Sequence, residues 1–162
     1  MKTITILLIA LSTLISCNST GSKSEAINQK TDQTIAPKYE VALHFINEYL
    51  DYSNDRKSEI ETIEWVNNRT DVTIGFKIEL NKIITEAQKQ DPELGLGFDP
   101  ILDAQDSPNE FEIDKTDSEY LIVKGVKWDD FRLAMKLKHE GDVWLVDGSG
   151  IINIPENKKI KR

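Results

Sequence analysis

Cysteine and histidine, the residues that often hold metals or carry out acid–base chemistry, are scarce in this chain. Its 162 residues include one cysteine, Cys17, which excludes an intramolecular disulfide and a thiolate metal cluster. Of the two histidines, His44 has Glu40 and Glu48 at four-residue spacing, which predicts a solvent-facing position on a helix. His139 lies next to a predicted hairpin turn. We therefore expect no metal site, no cofactor and no buried histidine base.

An excess of positive charge is also absent. The chain has 28 acidic and 20 basic residues, and its formal net charge is -8. Such a chain repels phosphate backbones, so nucleic acid is not an expected partner. Once a leader and a linker are set aside, the remaining length suits one domain with its own core and leaves no room for a second.

A hydrophobic run long enough to span a bilayer is missing from the sequence. Residues 4–11 are almost wholly apolar and follow Lys2, but a membrane helix needs roughly 20 apolar residues. A basic start followed by a short apolar run is typical of an export signal. The run leads into Leu14-Ile15-Ser16-Cys17, which resembles the lipobox of bacterial lipoproteins.

The lipobox resemblance implies a signal peptide over residues 1–16 and a lipidated Cys17 that becomes the new amino terminus. Acyl chains contribute about 0.8 kcal/mol per methylene buried in the membrane, so two or three of them form a stable anchor. Asn18, rather than aspartate, follows the cysteine. By the sorting rule of Gram-negative lipoproteins, this favours the outer membrane over the inner one. The alternative is an ordinary cysteine beside a cleaved signal or inside a membrane helix.

The chain between Cys17 and residue 36 is polar, with too few apolar residues to form a core, and this predicts a flexible linker. From Pro37 to about Tyr52, apolar residues recur at three- and four-residue spacing, Tyr49 among them, which predicts a helix with Pro37 in its first turn. A second, short helix is predicted over residues 58–66, where isoleucines recur among glutamates.

The segment that follows has an ambiguous apolar pattern. Residues 72–80 alternate like a strand, but the same residues also begin a helical face that continues to residue 87. Because no turn signal interrupts the helical pattern at Asn81-Lys82, we predict a helix that ends near Lys89, with Thr70-Asp71 as its cap.

The C-terminal half predicts consecutive antiparallel strands. Phe131, Leu133, Met135 and Leu137 alternate with mostly charged residues, so one face of their strand is apolar and the other is solvated. Residues 120–124 are similarly rich in strand formers, and residues 143–146, apolar on both faces, predict a central strand after a turn at residues 140–142. We therefore predict a single α+β domain over residues 37–156, followed by a basic tail over residues 157–162.

Residues 91–106 contain two Asp-Pro steps, two glycines and the densest group of polar side chains in the chain, namely Asp99, Asp103, Gln105 and Asp106. Three interpretations compete. Metal binding is weakly supported because no calcium-loop spacing is present. Paired carboxylates for acid–base catalysis are a second interpretation. The third, which we favour, is that the aspartates accept hydrogen bonds from backbone amides in a compact loop.

The aromatic residues add one further candidate. Trp65 and Trp144 have apolar neighbours and are predicted to belong to the core. Trp128 precedes Asp129-Asp130 at a predicted hairpin connection, so an exposed ring with a polar rim there is a candidate partner contact. The basic tail is interpreted as solvated, with attraction to anionic lipid heads as the alternative.

Three parts of the chain together resemble the YbjP-like family of uncharacterised bacterial envelope lipoproteins: residues 98–106, the first predicted helix, and Gly141–Asp147. The resemblance covers about residues 37–155. It implies the nuclear-transport-factor-2-like superfamily, in which helices wrap a strongly curved antiparallel sheet to form a cone with a pocket. Enzymes of that superfamily often use an Asp–His pair inside the cone, but the family itself has no assigned activity.

These observations leave three hypotheses for function. The first is a non-enzymatic envelope lipoprotein that binds a protein or a small ligand through Asp99, Asp103, Gln105, Asp106 or Trp128. The second is a hydrolase or isomerase that uses Asp99, Asp103 or Asp106. The third is an immunity-type protein whose acidic surface speeds association with a basic toxin.

Overall fold

The computed structural model describes residues 36–55 and 57–161. Contacts divide the chain into Met1–Thr34 and Ile35–Arg162, and the described residues all belong to the second unit. The predicted signal peptide, the lipidation of Cys17 and nearly all of the linker therefore lie outside the described residues. Within the described part of the chain, no helix is long and apolar enough to cross a membrane.

Three helices precede four strands along the described chain. The elements are α1 (Tyr39–Asn54), α2 (Thr62–Asn67), α3 (Ile74–Gln90), β1 (Phe111–Asp117), β2 (Tyr120–Gly125), β3 (Trp128–Glu140) and β4 (Val143–Ser149). The strands form one antiparallel sheet in the order β1-β2-β3-β4. This arrangement confirms the predicted α+β class with the helices before the sheet.

The helices begin later than the sequence predicted. Helix α1 starts at Tyr39, two residues after Pro37, so the proline lies before the helix rather than in its first turn. Helix α2 starts at Thr62 rather than at Ser58. The Ser58 hydroxyl accepts a hydrogen bond from the Ile60 N–H, and such a local bond competes with helix formation.

Helix α3 confirms the helical interpretation of the ambiguous segment but not its predicted cap. The cap is Thr73, whose hydroxyl accepts the Phe76 N–H at 3.0 Å. Asp71 instead forms a two-pronged ion pair with Arg69, and the Arg69 guanidinium also contacts Glu48 of α1. This pairing joins the loop before α3 to α1.

The core lies between the helices and one face of the sheet. The four alternating residues of β3 are all buried there, as predicted: Phe131, Leu133, Met135 and Leu137. Phe45 of α1 packs edge-on against Phe76 of α3, with ring centroids 5.7 Å apart. Trp65 and Trp144 are half-buried and pack against the same core.

The prediction that β4 is a central strand is wrong, because β4 lies at one edge of the sheet. Val143, at its start, is 54% exposed. The edge is covered at one point by the chain before α3. There the Val146 N–H donates to the Asp71 carbonyl and the Val146 carbonyl accepts the Thr73 N–H. Val146 belongs to the buried core, and this contact pairs the backbone groups that its edge position would otherwise leave open.

The other edge of the sheet, β1, is covered by a side chain of α1. The Asn47 amide nitrogen donates to the Phe111 carbonyl at 3.0 Å, and its amide oxygen accepts the Phe111 N–H at 2.8 Å. One asparagine therefore satisfies both backbone groups of an edge residue, which otherwise offer pairing positions to another chain. It also fixes α1 across the end of β1.

Candidate functional site

Residues 91–103 form two turns of the same design. The Asp91 carboxylate accepts hydrogen bonds from two backbone N–H groups, those of residues 93 and 94, at 3.1 and 3.0 Å. The Asp99 carboxylate accepts the N–H groups of residues 101 and 102 in the same way, at 2.8 and 3.0 Å. Each turn has Asp-Pro at its start and a residue with positive φ at its fifth position, Gly95 or Asp103. Aspartate tolerates this backbone conformation better than most residues do, which accounts for Asp103.

Asp99 also connects the second turn to α1. Its Oδ2 accepts a hydrogen bond of 2.5 Å from the Tyr49 hydroxyl, so both carboxylate oxygens have partners. Burial raises the pKa of the Asp99 carboxyl above its ordinary value, although the hydrogen bonds from Tyr49 and the turn amides oppose that shift. Burial, and then the charge of Asp99, raises the pKa of Tyr49. Tyr49 therefore retains its proton and acts as the donor.

Two clefts border the Tyr49–Asp99 contact. The first, of about 400 Å³, lies between α2, α3 and residues 94–100. The second, of about 310 Å³, lies between the end of α1 and residues 58–62. Tyr49, Thr62 and Asp99 line both of them. The pair therefore lies at the boundary between two open spaces, each comparable in size to a small-ligand site.

The linings of the two clefts share one sign of charge. They contain the carboxylates of Asp55, Glu61 and Asp99, and among the described residues they contain no lysine, arginine or histidine. The larger cleft also presents Leu94, which is 70% exposed, and Phe98. Carboxylates and exposed apolar side chains, without basic groups among the described residues, suit a neutral or cationic ligand better than an anionic one.

The other predicted site residues lie away from these clefts. Asp103 is half-buried, Asp106 is exposed, and neither lines either cleft. The Gln105 amide donates to the Gly97 carbonyl at 3.0 Å and so closes the loop on itself. The structure therefore brings only Asp99, of the four loop candidates, to the clefts.

Trp128 lies at the start of β3 and is 44% exposed. Its ring packs edge-on against Phe131, with centroids 5.2 Å apart. With Pro108 it lines a separate depression of about 240 Å³. The tryptophan and the loop aspartate are thus parts of two different surfaces.

Neither His44 nor His139 lines the two clefts that border the Tyr49–Asp99 pair. His44 is exposed and its Nε2 lies 3.2 Å from a Glu48 carboxylate oxygen. The His139 ring contacts the Trp144 ring at 5.0 Å, and its Nε2 has no hydrogen-bond partner among the described residues. Across residues 36–55 and 57–161, no three histidine, cysteine, aspartate or glutamate side chains are grouped to hold a metal.

Comparisons with protein-family models, curated proteins and solved structures find no match to this chain.

Tyr49 is the site residue that the sequence analysis missed. It was predicted only as one of the apolar positions of the first helix. The available signal was its hydroxyl, because a tyrosine on the buried face of an amphipathic helix requires a hydrogen-bond partner. The partner, Asp99, lies 50 residues away in sequence, so local spacing could not identify it.

Proposed function

We propose that this chain is an envelope lipoprotein anchored by acyl chains on Cys17, and that its domain is a binding module rather than an enzyme. The support for the anchor is the order of features in the sequence: a basic start, an apolar run, a lipobox-like segment and a polar linker over residues 17–36. The resemblance to YbjP-like lipoproteins agrees with this order. Asn18 favours the outer membrane in a Gram-negative host.

The proposal extends to the fold of the domain, for which we infer a nuclear-transport-factor-2-like cone. Its support is that three helices precede a single antiparallel sheet whose apolar face packs on them. A sheet that crystallography shows to curve strongly around the core would agree with this proposal. A flat sheet would contradict it.

The observation that carries the binding role is the pair of clefts at Tyr49 and Asp99. An exposed leucine and a phenylalanine lie beside polar groups there, which is the composition of small-ligand sites. We propose a neutral or cationic ligand, because the described lining is acidic. The hydrolase or isomerase hypothesis has less support, since Asp99 already accepts three hydrogen bonds and the other two aspartates lie elsewhere. The immunity-type hypothesis rests on net charge alone.

The anchor is tested by replacing the cysteine. In the bacterial host, Cys17→Ser is expected to move the protein from the membrane fraction to the soluble fraction, because the thiol that accepts the lipid is gone. Incorporation of an alkyne-labelled fatty acid should be lost as well. Ser16→Ala, which keeps a small residue before the cysteine, is the control and should remain in the membrane. Labelling that persists in Cys17→Ser would contradict the proposal.

The ligand preference of the clefts is tested with two probes of similar shape, benzyltrimethylammonium and benzenesulfonate. Saturation-transfer NMR on the full-length protein should detect binding of the cation and not of the anion. Leu94→Ser is expected to weaken binding of the cation about fivefold, since roughly 1 kcal/mol of apolar contact is removed. The control is Ile78→Ser, because Ile78 is 62% exposed on α3 and does not line either cleft. Equal weakening in both variants, or stronger binding of the anion, would contradict the proposal.

A further inference from the structure

The sheet face opposite the core, here called the outer face, is covered by ion pairs. Basic side chains from β2 and β3 form ion pairs with carboxylates of the sheet at 2.8–3.0 Å: Lys124–Glu112, Arg132–Asp114, Lys136–Asp147 and Lys138–Glu140. Side chains of this kind keep an exposed sheet face soluble. Most of the outer face is therefore polar and internally paired.

One part of the outer face is apolar. Tyr120, Ile122 and Ala134 form the floor of an open pocket of about 210 Å³, here called the outer-face pocket. Lys115, Asp117 and Lys158 form its rim. The ring of Tyr120 lies under the Lys158 ammonium at 5.0 Å, so the C-terminal tail contributes one wall. The tail, predicted as solvated, thus packs at Lys158 on the sheet.

The size of the outer-face pocket restricts its occupant. Sites for drug-sized ligands are roughly 300–1,000 Å³, whereas a cavity of about 150 Å³ can hold a benzene ring. A volume of about 210 Å³ therefore suits one aromatic or branched side chain. Such single-residue pockets are the usual positions of the anchoring residues in protein interfaces.

The rim of the outer-face pocket differs in charge from the rest of the chain. Lys158 pairs with Asp117 at 2.8 Å, but Lys115 makes no ion pair with any described residue. Two ammonium groups and one carboxylate leave the rim with an excess of one positive charge, while the whole chain has a net charge of -8. Carboxylates on a partner are therefore attracted to this rim and repelled by most of the remaining surface.

We propose that the outer-face pocket docks an acidic peptide segment of another protein. One apolar side chain of that segment fills the pocket, and a neighbouring carboxylate pairs with Lys115. An anionic bilayer also supplies negative charge, but its headgroups offer no side chain to occupy the apolar floor. This proposal is independent of the lipid anchor and of the clefts at Tyr49.

The proposal is tested with fluorescently labelled synthetic peptides and the purified full-length protein. Fluorescence anisotropy should detect binding of Glu-Glu-Phe-Glu-Glu. The peptides Glu-Glu-Ala-Glu-Glu and Lys-Lys-Phe-Lys-Lys should bind at least about tenfold more weakly, because the first lacks the anchor and the second has the wrong charge. Lys115→Glu should weaken binding of Glu-Glu-Phe-Glu-Glu about tenfold as well.

The matched control is Lys89→Glu, which makes the same charge change at an exposed position of α3. It should leave the dissociation constant within about twofold of the original value. Ala134→Phe should fill the pocket and remove binding; if that variant fails to fold, Lys115→Glu decides the matter. Equal effects of the two lysine substitutions would overturn the proposal. So would binding to phosphatidylglycerol vesicles without binding to the acidic peptide.

Discussion

Asp99 shows how one carboxylate can join two parts of a fold. One of its oxygens accepts the backbone N–H groups of residues 101 and 102, and the other accepts the hydroxyl of Tyr49. The first set of bonds forms the turn and the second fixes the turn to α1. Three donors stabilise this half-buried carboxylate, but its charge remains costly because much of the group is removed from water.

Removing the Asp99 carboxylate should break both the turn and its link to Tyr49. Asp99→Ala is expected to lower the free energy of unfolding by about 1–3 kcal/mol, because Tyr49 and two turn amides lose their acceptor in a partly buried place. Urea unfolding measures the change. Asp91→Ala, in the equivalent but exposed first turn, should cost less. Equal losses in the two variants would contradict this account.

The charge of Asp99 should make its contribution depend on pH. Its pKa is raised in the folded state from the ordinary value of 3.8, so its stabilising contribution is complete below that value and is lost as pH rises through the folded pKa. Asp99→Asn keeps an acceptor for the turn amides and a neutral partner for Tyr49. We therefore expect the stability of the natural protein, relative to Asp99→Asn, to fall as pH rises from about 3 to 7. Urea unfolding across that range measures the difference in free energy of unfolding between the two proteins. A difference that stays constant with pH would contradict this account.

At the scale of elements, hydrogen bonds join the Asp99 turn to the end of β4 and the turn that follows it. The Ile151 N–H donates to the Pro100 carbonyl, and the Ser149 hydroxyl donates to the Ile101 carbonyl. Gly150 lies between them with a φ of +60, and a Cβ there would be 2.5 Å from the Pro100 oxygen. The turn after β4 can approach the Asp99 turn this closely only because residue 150 has no side chain.

Substitutions at two glycines separate the energetic cost of steric contact from the cost of an unfavourable backbone conformation. Gly150 and Gly141 both have a φ of +60, but a Cβ at Gly141 would meet nothing within 4 Å. Gly141→Ala should therefore cost only the conformational penalty, about 1–2 kcal/mol. Gly150→Ala should cost at least about 3 kcal/mol, because the Asp99 turn must also move away. Thermal unfolding of the two variants measures the difference, and similar losses would contradict the packing argument.

The elements differ in how far the sequence could predict them. The alternation in β3 and the unbroken pattern of α3 were sufficient, because each pattern reflects burial along a single element. The helix caps and the edge strand could not be predicted from such patterns. Thr70-Asp71 and Thr73 are all chemically suitable caps, and only the contact of residues 71–73 with Val146 decides among them. The apolar run of β4 did not distinguish a central strand from an edge strand whose backbone is paired at Val146 by residues 71–73.

At the scale of the whole molecule, the candidate site required distant residues that no local pattern connects. Asp99 was predicted as a turn residue and a site candidate, yet its partner Tyr49 and the adjoining clefts arise only when α1, α2, α3 and the loop pack together. The outer-face pocket likewise combines β1, β2, β3 and the tail. The predictions for Cys17, the linker and the cell envelope concern residues 1–36 and stay predictions.

Each edge strand of the sheet has one residue whose backbone groups are already paired, and this matters when molecules are crowded together. Asn47 occupies both backbone groups of Phe111 on β1, and residues 71 and 73 occupy those of Val146 on β4. If the proposed lipid anchor holds copies in one membrane plane, they would meet edge to edge more often than copies in free solution. Backbone groups that are already paired at each edge offer fewer positions for another strand, which lowers the tendency of neighbouring molecules to polymerise edge to edge.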